Sequence, residues 1–181
     1  MRIKTKWHND ENPKSLEESA SVISFIAWKA AMHAVHLMDN EGFRFDGPRQ
    51  QLDVVGEYVC FLIQVADRLA HERMHDEERA RFIQALAGHL IGHMTGNMQD
   101  ILGPGDYRDD IVRLINERSG DYARFSFVDE QPGTHFLRYL GEKVSEVMQS
   151  TDNKWAIEYV SEVTGPEAAA TLRRAVVDQL D

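Results

Sequence analysis

The feature that most constrains this chain is the period of its apolar residues. From about residue 15 to residue 180 they recur every three or four positions, and no segment alternates with period two for long enough to build a sheet. Helix punctuation divides that run. Ser15 to Glu18 reads SLEE, a capping box in which the Ser15 hydroxyl accepts from the Glu18 amide and the Glu18 carboxylate reaches back. It opens a first helix over about 15–40. The connector EGFRFDGPR supplies Gly42, Gly47 and Pro48, with Pro48 suited to a first helical position, and a second helix follows over about 49–75.

Asp76 is placed to cap a third helix, with Glu77 and Glu78 at the positive end of its dipole. Gly103, Pro104 and Gly105 end it. Asp106 caps a fourth helix that stops before DEQPG, Thr134 caps a fifth, and two shorter helices over 155–163 and 166–180 close the chain. These signals predict one all-α domain over residues 1–181, an antiparallel helical bundle of about six or seven helices, with 1–14 a flexible or loosely packed N-terminal segment.

Charge narrows the partners. Thirty Asp and Glu against 20 Lys and Arg give a formal net charge of −10, and no basic run occurs, which disfavours nucleic acid and anionic membrane surfaces. The start lacks the apolar core of a secretory signal. No stretch approaches the ~20 apolar residues of a membrane span, YVCFLIQVA being the nearest. Cys60 is the single cysteine, so no disulfide forms within the chain, and the expected setting is cytoplasmic.

One motif carries chemistry by its letters. His71-Glu72-Arg73-Met74-His75 reads HExxH, which on a helix sets two imidazoles toward a zinc ion with the glutamate beside the metal-bound water, as in a zinc metallohydrolase. Arg73, Asp76 and Glu77 are charged where such helices are uncharged, and no strands accompany it. On helical projection the apolar stripe of the second helix is Tyr58, Leu62, Ala66 and Leu69. His71 falls opposite, on a polar face with Asp53, Glu57 and Gln64 that reads as solvated. Cys60 falls on the polar side too. The alternative di-iron reading needs a second ExxH, and Glu72-x-x-His75 stands alone.

A second set of histidines is better placed. His33 projects into the stripe Val22, Ile26, Ala30 and Leu37, with His36 one turn on, and His93 lies in line with Leu86, Leu90 and Asn97, with His89 at the edge. Buried imidazoles need hydrogen-bond partners. They either specify register or, if the two helices face each other, His33, His36, His89 and His93 surround a divalent transition metal. Gly88, Gly92 and Gly96 recur every four residues, a helix-packing ridge suited to close approach by a neighbouring helix or a second subunit. Arg108 and Arg118 project to the apolar side of the fourth helix, where each is a candidate partner for a carboxylate.

The leading functional expectation is a helical protein acting through protein–protein interaction or homo-oligomerisation, with no clear catalytic chemistry. A His-ligated metal or small-ligand bundle stands second, and a metallohydrolase third.

Overall fold

The computed structural model describes residues 15–149 and 153–181, so the N-terminal segment 1–14 lies outside the described residues. The chain folds as an all-α bundle. Helix α1 runs Leu16–Glu41, α2 Pro48–His71, α3 Asp76–Leu102, α4 Arg108–Tyr122 and α5 Thr134–Met148. The last stretch is continuous: α6 (Ala156–Tyr159) passes through a π-helical turn (Val160–Thr164) into α7 (Gly165–Leu180).

The capping box and the glycine and proline breaks are where the sequence puts them, but Asp76, Asp106 and Thr134 do not cap. The N-caps of α3, α4 and α5 are His75, Tyr107 and Gly133, so Asp76 and Thr134 are each the first residue of their helix and Asp106 stands one residue before its cap. The Ser15 amide donates to Glu18 Oε2 at 2.8 Å and the Glu18 amide to Ser15 Oγ at 3.2 Å, closing the capping box. Gly42 ends α1 in the left-handed region at φ 98°, where a side chain would be strained, and Pro48 opens α2.

Three further local expectations need correction. The second helix stops at His71, and residues 72–74 form a turn, so it does not reach His75. The segment after α4 contains a small antiparallel hairpin of β1 (Phe127–Val128) and β2 (Gln131–Pro132), turned by Asp129 and Glu130 at φ 52° and 57°. Two consecutive positive φ values match the tight hairpin turn, which usually announces itself with glycine. Glu130 then fastens the hairpin to the bundle, accepting from Arg73 and from Arg173 Nε at 2.7 Å. The two closing helices are also one, because the π turn absorbs the geometry in front of Pro166.

Helix α2 is the axis of the molecule. Every residue from Val54 to Ala66 is buried, since α1, α3, α4, α5 and α7 all pack on it. The middle of the polar face assigned to solvent is therefore interior, with Glu57, Cys60 and Gln64 buried beneath α4, while Asp53 is half-buried and His71 exposed at its two ends. Gln64 Nε2 donates to Ser119 Oγ at 2.9 Å, and Glu57 receives Arg118. Burial pushes the Cys60 thiol well up, with the nearby Glu57 charge adding to it, so this sulfur stays a protonated packing group.

Aromatic rings of Phe61, Tyr122, Phe136 and Tyr139 fill the space between α2, α4 and α5. Helix α1 packs on α3, α7 and α2. By length and composition alone it is apolar enough to cross a membrane, against the expectation that no stretch is, and 50% of that apolar segment is buried within the fold.

Candidate interaction face

The contacts between α1 and α3 advance together. Glu17 meets His89, Trp28 meets His93, and Met32 and Ile101 line one groove, so the two helices run side by side in the same direction. Their common outer face carries most of the residues singled out above. Its composition is unusual for so acidic a protein. Residues 19–38 of α1 contain Lys29 as their one charged side chain, and residues 82–99 of α3 contain none.

Burial defines what this face presents. The inward stripe of α1 is Ala20, Ile23, Ala27, Ala31, Ala34 and Met38. Of the stripe predicted through Val22, Ile26, Ala30, His33 and Leu37, Ala30 is buried and Ile26 and Leu37 are half-buried, but Val22 and His33 are exposed, because α1 is apolar around most of its girth and projection alone could not choose a side. Outward of Trp28, α1 leaves Val22 41%, Phe25 54% and Met32 43% exposed, and α3 leaves Ile101 51% exposed. Lys29 Nζ sits 5.6 Å from the centre of the Phe25 ring. The glycine ridge is open: a Cβ built at Gly88, Gly92 or Gly96 would meet nothing within 4 Å. Close approach of another helix of the same chain, one of the two expected roles, is thus absent at these three positions.

The four histidines do not converge. His33 is exposed and points across to Glu167 of α7 at 3.6 Å, while His36 Nε2 accepts from Asn40 at 3.1 Å. His89 Nε2 donates to Glu17 Oε1 at 2.8 Å. His93 is half-buried with its ring stacked on Trp28, 6.0 Å between centres, and its carbonyl accepts from Asn97 at 2.8 Å. Burial, then the neighbouring His89 charge, holds the His93 pKa below the usual imidazole value. Among the described residues no group of three or more His, Cys, Asp or Glu side chains is disposed to hold a metal ion.

The HExxH segment straddles the α2–α3 turn. His71 ends α2 and its Nδ1 contacts Arg79, whereas His75 is the extended N-cap of α3, so the two imidazoles do not share a helical face. Arg108 is exposed at the start of α4, and Arg118 is buried against Glu57. Compared with known proteins, the chain matches no family model, no curated protein and no solved structure.

The charge gap is the signal that reading for motifs missed. Two helix segments of about five turns each, residues 19–38 and 82–99, almost without ionised residues, are visible in the letters once the helices are placed.

Proposed function

We propose that this protein acts by self-association, two copies meeting through the α1/α3 face in an isologous dimer. The observation that carries the reading is the uncharged outer face on a chain of net charge −10. Two such chains repel over most of their surfaces, and this face lets them touch without opposing carboxylates. Interface cores are depleted of charge and enriched in aromatic and methionine side chains, which is the composition found here.

The relief of the face also supports a second copy as the occupant. Phe25 and Met32 stand exposed on α1, and Gly88, Gly92 and Gly96 leave open space on the neighbouring α3. A two-fold axis between them would put each copy's Phe25 over the other's glycines, and a two-fold interface requires such self-complementarity. Fully burying an exposed Phe or Met side chain contributes about 1.5–3 kcal/mol, and with Phe25 54% and Met32 43% exposed each would contribute roughly half of that toward the association cost.

Light scattering on size-fractionated protein across a range of concentrations tests this. Wild type should show twice the chain mass at micromolar concentration. Phe25→Glu and Gly92→Glu should each give the single-chain mass with unchanged helicity. A wild-type protein that stays a single chain at hundreds of micromolar, or variants that keep the doubled mass, would refute the reading.

A further inference from the structure

A cleft of about 500 Å³ lies away from that face, between α2, α3 and α4 with the end of α5 at its rim. That volume falls in the range of small-molecule sites. One wall is apolar, formed by Met94 and Met98 of α3 with Ile111 and Leu114 of α4. Gly56 of α2 lets that wall close on the helix, since a Cβ there would lie 3.0 Å from Met94 Cε and 3.4 Å from Leu114 Cδ2.

The charges are unequally distributed. Asp53, Glu57, Asp110 and Glu117 line the cavity against Arg49 and Arg113. Both lining guanidiniums are already held, Arg49 by Asp53 at 3.0 Å and Arg113 by Asp110 at 3.2 Å. Behind the floor, Arg118 binds Glu57 through two contacts of 2.8 Å and Glu117 through one of 2.7 Å. One guanidinium thus hydrogen-bonds two carboxylates, and a third, Asp121, stands 3.9 Å from it and 3.8 Å from Arg124, leaving a negative charge in excess at the floor. Each carboxylate oxygen has a lone pair beyond the one Arg118 uses, so Glu57 and Glu117 can still accept. The Glu57 side chain is only 2% exposed, where an unbalanced charge acts through little solvent screening.

We propose that this cavity binds a small organic monocation with an apolar body, an arylalkyl or alkyl ammonium. Its charged nitrogen is received by Glu117 and Glu57 and its body lies along Met94, Met98 and Leu114. A carboxylate or phosphate ligand would instead have to displace Asp53 or Asp110 from their arginines and meet the excess negative charge. The inference is independent of the α1/α3 face, and neither site's failure affects the other.

The test is an amide chemical-shift titration of the full chain with benzylammonium and phenethylammonium as probes, and benzyl alcohol and benzoate as neutral and anionic controls. The ammonium probes should shift Gly56 and Leu114 saturably at millimolar concentration, with benzyl alcohol about tenfold weaker and benzoate without effect. Glu117 is 63% exposed in its side chain, so Glu117→Gln should fold normally and weaken the ammonium probes about tenfold while leaving benzyl alcohol unchanged. Equal binding of cation and alcohol, preference for benzoate, insensitivity to Glu117→Gln, or no saturable shift at the cavity with either ammonium would overturn the assignment.

Discussion

At the scale of single residues, the Glu57–Arg118 pair governs the interior. Both guanidinium edges are used, and the glutamate beside it is the first cause that keeps the Arg118 pKa above its ordinary value. Breaking a buried pair by removing one partner costs about 3–5 kcal/mol, whereas replacing both by apolar groups is often neutral. Arg118→Met should therefore be strongly destabilising in urea unfolding, because it strands the buried Glu57. Glu57→Leu with Arg118→Met should recover most of the loss. Single losses that simply add would show that the pair has no coupled role.

His93 gives a second residue-scale expectation. Its folded pKa lies below the unfolded value of about 6.5, so the unfolded chain takes up the proton first as pH falls. Stability from this group is complete well above pH 6.5 and is lost progressively as pH drops below that value toward the folded pKa. Thermal melts between pH 7.5 and 5.5 should decline less steeply for His93→Asn than for wild type. Parallel declines would assign the pH dependence to other groups.

At the scale of elements, the glycines separate into two kinds that the sequence shows as one. Gly92 faces open space, so Gly92→Ala should gain the helix propensity of roughly 0.5–1 kcal/mol when measured at dilution. Gly141 of α5 is different: a Cβ there would lie 2.7 Å from the Ile157 carbonyl oxygen and 3.1 Å from its Cα, both backbone atoms of α6. Gly141→Ala should lose about 1–3 kcal/mol by overpacking and loosen α5 from the π-turn segment. Denaturant midpoints that move the same way in both variants would contradict this division. The contrast marks where sequence reading stops. Helix starts and stops rest on local chemistry, so SLEE, Gly42 and Pro48 were readable. Which side of α2 or α1 is interior depends on what packs over it. Glu57 and Cys60 read as solvated and His33 as central for want of knowing where α4 and α7 lie. The turn inside HExxH was missed because neither Gly nor Pro marks it, and the hairpin because Asp129 and Glu130 take the conformation glycine usually supplies.

At the scale of the whole molecule, the balance between a charged body and one uncharged face makes a prediction about salt. Two chains of charge −10 repel at long range, and that repulsion opposes dimerisation through any surface. The proposed contact contains little ionic attraction, since Lys29 is the one charged residue in the two helix segments that form it. Screening shortens from about 10 Å at 0.1 M salt to about 3 Å at 1 M, which removes repulsion between the bodies and leaves the apolar contact intact. Sodium chloride should therefore tighten the dimer, lowering the dissociation constant measured by sedimentation equilibrium as salt rises from about 0.05 to 0.5 M. An association built on pairing between acidic and basic patches would weaken over the same range. A dimer that dissociates with added salt would thus keep self-association but move it off the α1/α3 face. The Phe25→Glu variant separates the cases further. It should stay a single chain at low and high salt alike, because screening cannot restore a carboxylate pressed against the glycines of its partner.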